Sequence, residues 1–236
     1  MKHPHSDASF PAAAILAGGL LFSGPAASAA VLLTENWEGA SNVFSTPTYN
    51  YTSQFTLPNG LTPPGGLVYG NGGQGTNGSV STNSYPVSAI SLTAGTGVSA
   101  SQIDAGFASY AFRGQFSSYL TQGDWTQLSI TFLDAASTPI GSPILLGGDA
   151  FTQALPTAAF GNYSDAKAWG ESAATGTVPT GARSIGVTLS MTKVAGGTAI
   201  DGYVDNISLN ISAVPEPDTL TLSGIAGLAL LRRRRR

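Results

Sequence analysis

Residues 124–134 read DWTQLSITFLD, and their side chains alternate between apolar and polar. Leu128, Ile130 and Phe132 fall on one side of an extended chain, and Gln127, Ser129 and Thr131 lie between or beside them. Successive side chains of a β-strand point to opposite faces of the sheet. This period of two therefore predicts a strand with one face in a core and the other in solvent.

The same period recurs along the chain. It is present in RSIGVTLSM (183–191) and GYVDNISLNI (202–211), with shorter candidates in AVLLTENW (30–37), SAISLT (88–93) and SYAFRGQF (109–116). Turn signals such as Gly147-Gly148 and Pro179-Thr180-Gly181 separate these segments. No stretch between the two ends keeps a helical period for ten residues or more. The pattern predicts an all-β, antiparallel β-sandwich over residues 30–212, with jelly-roll topology.

Composition limits the possible partners. Charged residues make up 10% of the chain, the net charge is −3, and there is no cysteine, so disulfides are excluded. Between the two ends, ten carboxylates face four cations, which are Arg113, Lys167, Arg183 and Lys193. An acidic domain repels nucleic acid, whose binding requires neutralised phosphates. Cations and neutral polymers are the expected partners.

Several classes of catalyst are excluded by the residues that the domain lacks. The only histidines are His3 and His5, so residues 30–236 contain neither histidine nor cysteine. Nucleophile–histidine catalysis and ordinary zinc sites are therefore absent from this part of the chain. Two carboxylates could still hydrolyse a glycoside, although no spacing singles out such a pair. We predict a non-enzymatic protein and keep a carboxylate-dependent glycosidase as an alternative.

The N-terminal segment has the organisation of a signal peptide. Lys2 precedes an apolar stretch over residues 12–22, and Ala27-Ser28-Ala29 has the small-x-small form of a signal-peptidase site. We predict a signal helix, removal of residues 1–29 and a mature chain that begins at Ala30.

The C-terminal segment has three ordered parts. Pro215, Glu216 and Pro217 are followed by an apolar run over residues 220–231 and then by the arginines Arg232, Arg233, Arg234, Arg235 and Arg236. Twelve helical residues span about 18 Å, and a bilayer core is about 30 Å thick. The short hydrophobic helix therefore predicts a transient span, with the arginines as a topology anchor on the cytoplasmic side.

Residues 213–236 closely resemble the PEP-CTERM sorting signal of Gram-negative bacteria. The resemblance covers the Pro-Glu-Pro sorting motif, the hydrophobic helix and the arginine cluster. It implies processing by an exosortase-type membrane protease, transient anchoring in the inner membrane, and export to the cell surface or extracellular matrix.

The domain itself resembles the galactose-binding-like jelly rolls that include many carbohydrate-binding modules. The motifs are LLTENWEGA at the opening strand, SYAFRGQF and DWTQLSITFLD in the middle, and VDNISL at the closing strand. The resemblance implies association with extracellular polysaccharide. A purely structural surface protein without a specific ligand is the alternative.

Asp205 is a candidate calcium ligand. Its strand parity matches that of Ile207, Leu209 and Ile211, and a carboxylate buried on that face needs a partner. Ca²⁺ binds carboxylates and carbonyl oxygens. In the modules that the chain resembles, structural Ca²⁺ often joins the opening and closing strands, which adds Glu38. The competing interpretation places Asp205 at a strand start or bulge, solvated or bonded to backbone amides.

Aromatic side chains on solvent faces are candidate sugar-stacking residues. Trp125 has the parity of the polar residues of its strand, and Trp169 and Tyr119 occupy loop-like surroundings. Arg113 could donate hydrogen bonds to hydroxyl groups. The alternative for each is ordinary half-buried packing. Trp37, beside the opening strand, is expected in the core.

Overall fold

A computed structural model describes residues 29–39, 42–50, 64, 66, 68–119, 122–160, 163–194 and 196–213. The predicted signal peptide, hydrophobic helix and sorting motif lie outside these residues. The first strand begins at Ala29 and the last ends at Ala213, one residue beyond each predicted domain bound.

Two large antiparallel sheets form a sandwich in the described part of the chain, so the predicted all-β antiparallel sandwich is confirmed. The six-stranded sheet contains, in order, β10 (Gly170–Thr177), β5 (Ala108–Ser118), β12 (Gly202–Ala213), β3 (Val68–Asn71) and β2 (Thr48–Asn50), with β1 (Ala29–Glu35) beside β12. The four-stranded sheet contains β4 (Ser81–Ser91), β11 (Ser184–Lys193), β6 (Trp125–Leu133) and β7 (Pro139–Gly147).

The remaining elements are short. A hairpin consists of β8 (Thr157–Phe160) and β9 (Tyr163–Lys167), and the helices among the described residues are α1 (Ala100–Asp104) and α2 (Asp149–Ala154). Ser99 caps α1 in a reciprocal capping box with Gln102. In the described part of the chain, none of the helices has the length and apolar composition needed to cross a bilayer.

The core lies between the two sheets. Leu128, Ile130 and Phe132 of β6 are at most 3% exposed, and the residues between them are half-buried, as the period of two predicts. Their partners across the ladder on β11 are also buried apolar residues. On the six-stranded sheet, Phe112 and Phe116 contribute the largest buried side chains of β5. Burying such side chains stabilises the fold by about 1.5–3 kcal/mol each.

Trp37 is in the core, as the sequence predicts, with only 2% of its surface exposed. Its indole Nε1 donates a 2.8 Å hydrogen bond to Oγ1 of Thr46. The ring also packs against Gly70 of β3, where an added Cβ would lie 2.6 Å from Cζ2 of the indole. Glycine at this position therefore permits the close approach of ring and strand.

One predicted face is wrong. A β-bulge interrupts the pairing of β12 with β5 between Asp205 and Ser208, and Asn206 has φ of 49°. The extra residue reverses the parity of the strand, so Asp205 does not share the core face with Ile207. Val204, paired with the buried Phe116, faces the core before the bulge, and Asp205 therefore points to the outer face.

Candidate functional site

The outer face of the six-stranded sheet carries three aromatic rings in contact. Tyr69 lies on β3, Tyr203 on β12 and Trp169 directly before β10. The ring centroids of Tyr69 and Tyr203 are 5.0 Å apart, and those of Tyr69 and Trp169 are 5.7 Å apart, both with edge-to-face geometry. All three side chains are half-buried. We call this group the aromatic cluster.

Strand register explains why these rings meet. Tyr203 pairs with Ser117 on one side and with Asn71 on the other. Gly170 pairs with Phe116, whose side chain faces the core. Trp169 immediately precedes Gly170, so the Trp169 side chain lies on the opposite, outer face. The rings thus extend over β12 and β5 from both sides and meet above the sheet.

Beyond the aromatic cluster, the same face carries Arg113 and then a cleft. Arg113 is exposed, and its Nε donates a 3.0 Å hydrogen bond to Oγ of Ser208 across the ladder. Further along, an open cleft of about 520 Å³ is lined by small or uncharged residues. These are Ala29, Ser109, Tyr110, Ala111, Thr175, Gly176, Asn210 and Ser212.

The structure separates the four predicted ligand-binding residues. Trp169 belongs to the aromatic cluster, and Arg113 lies on the same face. Tyr119 follows β5 at the end of this sheet, where its backbone N–H donates to the carbonyl of Asp201. Trp125 is half-buried on the outer face of the other sheet, opposite Thr192. Trp125 and Trp169 therefore cannot line one binding face.

Tyr69 and Tyr203 were missed as site candidates. Alternation counted along GYVDNISLNI (202–211) puts Tyr203 on the same face as Ile207, and the bulge after Asp205 reverses this. Tyr69 lies in a four-residue strand within a glycine-rich stretch that carries no alternation. Their solvent-facing placement depends on strand register, which the local sequence does not encode.

Asp205 is completely buried although it points to the outer face. Tyr69 precedes Gly70, the partner of Val204, so Tyr69 and Asp205 occupy neighbouring positions of two paired strands. One carboxylate oxygen of Asp205 accepts a 2.7 Å hydrogen bond from the backbone N–H of Asn206. The bulge and this amide bond agree with the competing interpretation of Asp205.

Glu38, the other predicted calcium ligand, is exposed. Its Oε1 accepts a hydrogen bond from the backbone N–H of Val68 and lies close to Gly66. The carboxylate thereby fixes the chain that leads into β3. Among the described residues, no group of three acidic, histidine or cysteine side chains is arranged to hold a metal ion. The fit to Ca²⁺ thus rests on two carboxylates and on carbonyl groups.

A second acidic feature lies where β11 connects to β12. Asp124 is completely buried, and its two carboxylate oxygens accept hydrogen bonds from the backbone N–H groups of Val194 (2.9 Å) and Asp201 (2.8 Å). Lys193, also completely buried, donates from Nζ to the carbonyl of Gly196 at 2.9 Å. These bonds fasten the connection between the two strands.

Burial raises the pKa values of both acids in this feature. For Asp124, backbone hydrogen bonds and the nearby charge of Lys193 oppose the effect of burial. For Asp201, the hydrogen bond from Tyr203 opposes it and the negative charge of Asp124 adds to it. A glycosidase also pairs two carboxylates, but its acids must reach substrate. Asp124, with no exposed surface and two amide partners, has a structural role.

Solved structures similar to this chain include β-sandwich domains of several kinds. The CBM2 module of the evolved Dit of Lactobacillus casei BL23 phage J-1 has 8% identity, a TM-score of 0.42, and coverage of 80% of this chain and 99% of its own. The CBM22-1–GH10 modules of a Clostridium thermocellum xylanase, solved with xylohexaose, have 14% identity, a TM-score of 0.37, and coverage of 76% and 28%. At these identities the likeness concerns the fold alone.

A third similar structure is the enzymatically active domain of tailspike protein 4 of bacteriophage CBA120. It has 16% identity, a TM-score of 0.38, and coverage of 77% of this chain. The chain spans only 19% of the tailspike and 28% of the xylanase. No curated protein matches the sequence.

One family model matches at the C-terminus. Residues 213–236 match the PEP-CTERM protein-sorting motif, in agreement with the resemblance found in the sequence. The motif implies recognition by an exosortase, export, and transient processing at the membrane. The chain therefore carries a PEP-CTERM sorting motif directly after the last strand of a β-sandwich.

Proposed function

We propose that this protein is a non-enzymatic surface or extracellular-matrix protein that binds a neutral polysaccharide on the outer face of its six-stranded sheet. The aromatic cluster carries the proposal. Aromatic faces offer apolar contact to the C–H faces of sugar rings, and tyrosine adds a polar group at its tip. The uncharged cleft and Arg113 continue the same face beyond the cluster.

The size of this surface supports a polymer ligand. The cleft volume of about 520 Å³ falls within the range of small-ligand sites, which is about 300–1,000 Å³. Because the aromatic cluster and the cleft lie on one face of the same strands, a chain of several sugar residues could contact both. The exported location that the sorting motif implies would bring the protein to extracellular glycans.

Titration calorimetry with polysaccharide fragments chosen from a glycan array tests the proposal. We expect Trp169→Ala to weaken binding at least tenfold, because it removes a stacking ring, which corresponds to about 1.4 kcal/mol. Trp125→Ala is the matched control, since Trp125 is also half-buried but lies on the other sheet. Melting temperatures verify that both variants fold.

The outcomes separate the alternatives. Loss of binding in Trp125→Ala alone would move the site to the four-stranded sheet. Absence of binding to any glycan would favour the structural alternative. Release of reducing sugar from a matrix polysaccharide, lost on a single Asp-to-Asn change, would instead support a carboxylate-dependent glycosidase.

We also propose structural Ca²⁺ at Glu38 and Asp205, with nearby carbonyl groups as further ligands. Complete burial of the Asp205 carboxylate supports the proposal, because a bound cation would offset the loss of its hydration. The amide bonds to Glu38 and Asp205 already satisfy part of their acceptor capacity. The calcium titration given in the Discussion decides whether Ca²⁺ or backbone N–H groups alone satisfy these carboxylates.

A further inference from the structure

Both ends of the domain leave from one end of the six-stranded sheet. Ala29, the first residue of β1, pairs with Ser212 near the end of β12. On the neighbouring strands, Ser109 pairs with Ser212, and Thr177 pairs with Ser109. We call this the termini end. The chain after Ala213 continues from it into the sorting motif.

Little chain separates the fold from the sorting motif. The matched segment begins at residue 213, the last residue of β12, and Pro215 follows two residues later. The apolar run that a bilayer would hold begins at Leu220, seven residues after Ala213, and seven extended residues span at most about 25 Å. A tail held in a bilayer therefore keeps the termini end close to the lipid surface.

The opposite end of the sandwich is acidic. Of the carboxylates whose side chains the structure describes, seven lie toward it and two lysines accompany them. The carboxylates are Glu35, Glu38, Asp124, Asp149, Glu171, Asp201 and Asp205, and the lysines are Lys167 and Lys193. Toward the termini end, two described carboxylates, Asp104 and Asp134, accompany Arg183. The exposed Arg113 pairs with Ser208, about midway between the two ends. We call the opposite end the acidic end.

This distribution of charge has a consequence at a membrane. An anionic lipid surface attracts basic residues and repels acidic ones. Burial raises the pKa values of Asp124 and Asp201, yet Glu38, Asp149 and Glu171 are exposed and keep the acidic end negative. Repulsion therefore acts in the same direction as the short tether.

We propose that, while the sorting tail is in the membrane, the domain stands with its termini end against the lipid surface and its acidic end directed away. The aromatic cluster belongs to the acidic end, since Tyr203 lies ten residues before Ala213 on β12. Their partners on β5, Ser117 and Ala108, are nine residues apart, so at about 3.3 Å per residue the two are roughly 30 Å apart. The cluster is thus accessible to an extracellular partner before the tail is released. The orientation depends on insertion of the tail and is independent of glycan binding.

Strand β10 supplies a ruler for testing this orientation. Glu171, Ala173, Thr175 and Thr177 are all exposed on one face of it, and the chain has no cysteine. Each position is replaced singly by cysteine in the full chain and labelled with a donor fluorophore. The proteins are reconstituted in phosphatidylethanolamine–phosphatidylglycerol vesicles that contain an acceptor-labelled lipid. The four positions span about 20 Å along the strand.

We expect energy transfer to rise at every step from position 171 to position 177 and to vanish when detergent dissolves the vesicles. Equal transfer at all positions would show a domain lying on its side, and a reversed order would show an inverted one. Absence of transfer at all four would show that the tail does not hold the domain at the membrane. Each of these three results overturns the proposal.

The contribution of charge is tested in vesicles of phosphatidylcholine alone. We expect the same order of positions with a shallower gradient, because the tether remains and the repulsion is removed. An unchanged gradient would refute the electrostatic part. Calorimetry with glycans is done separately on the unchanged, unlabelled protein, because Thr175 lines the cleft of the proposed glycan site. Failure of glycan binding there would leave the orientation result intact.

Discussion

The acidic end and the termini end of the sandwich use carboxylates in different ways. At the acidic end, Asp124 and Glu35 are buried and each accepts hydrogen bonds from two backbone N–H groups of a connecting segment. At the termini end, Asp104 is exposed and forms a two-bond ion pair with Arg183, with N–O distances of 3.0 and 2.8 Å. The acidic end thus uses buried carboxylates to fix loops in addition to those it exposes, whereas neither described carboxylate of the termini end is buried.

Because many carboxylates are buried, the number of acidic residues in the sequence overstates the negative charge on the surface. Four of the seven carboxylates at the acidic end are buried: Glu35, Asp124, Asp201 and Asp205. A count of charges from the sequence assigns all of them to the surface. The structure shows that much of the acidity serves internal hydrogen bonding, so the exposed charge is smaller and is concentrated at one end.

The largest expected effect is loss of the buried carboxylate of Asp124. We expect Asp124→Ala to lower the free energy of unfolding by about 3 kcal/mol or more, because two charge-assisted hydrogen bonds are lost and two buried N–H groups remain. Chemical denaturation measures it. Glu171→Ala, an exposed acid at the same end, is the control and should change stability by less than about 0.5 kcal/mol. An equally small change in Asp124→Ala would contradict the conclusion that Asp124 stabilises the connection between β11 and β12.

The proposed Ca²⁺ site lies at the acidic end, so calcium tests whether that end contributes stability that the termini end does not. If Glu38 and Asp205 hold Ca²⁺, protein stripped with EDTA should gain about 2.7 kcal/mol of stability at a concentration 100 times the dissociation constant. Glu38→Gln should weaken that gain, and Glu171→Gln should leave it unchanged. A melting temperature that is the same with and without calcium would end the calcium proposal.

The two ends should respond to pH with opposite sign. Burial raises the pKa values of Asp124 and Asp201 above the ordinary 3.8, so the unfolded chain binds fewer protons above pH 3.8 and stability falls as pH rises through that window. The hydrogen bond from Arg183 lowers the pKa of Asp104, so its contribution is lost as pH falls below 3.8.

Unfolding at a series of pH values measures these slopes. Above pH 3.8, we expect the free energy of unfolding of Asp201→Asn to fall less steeply with rising pH than that of the unchanged protein. Below pH 3.8, we expect the free energy of unfolding of Asp104→Asn to fall less steeply with falling pH. Identical slopes in Asp201→Asn and the unchanged protein would show that burial of Asp201 has no thermodynamic effect.

The smallest expected effect is at the Asp104–Arg183 pair. Both side chains are partly exposed, at 44% and 30%, and water and salt screen such pairs. We expect Asp104→Ala to change stability much less than Asp124→Ala and the change to shrink further in high salt. A loss comparable to that of Asp124→Ala, or one insensitive to salt, would remove the contrast between the two ends.

The strands that were predicted are those with large side chains at alternating positions. β6 follows the predicted alternation over its whole length, and β11 follows it from Ser184 to Met191. β10 was not predicted because Gly170–Thr177 contains only small residues besides Glu171, yet all eight residues pair with β5. β7 contains Pro139 and Pro143, which argue against a central strand, and it lies at a sheet edge.

The candidate site was predicted in part. Trp169 and Arg113 do lie on one sheet face, whereas Trp125 lies on the other sheet and Tyr69 and Tyr203 were not recognised. Sequence parity gives the face of a residue relative to its own strand. It does not give the sheet to which that strand belongs.

The sequence by itself determined the two-layer β architecture, the exclusion of histidine and cysteine chemistry from residues 30–236, and the sorting motif at residues 213–236. These properties depend on residue type and short-range spacing. Only the tertiary structure decided the bulge after Asp205, the aromatic cluster and the burial of acids at one end. They depend on the register between strands that are far apart in the chain. A single extra residue in one strand moves every later side chain of that strand to the opposite face of the sheet.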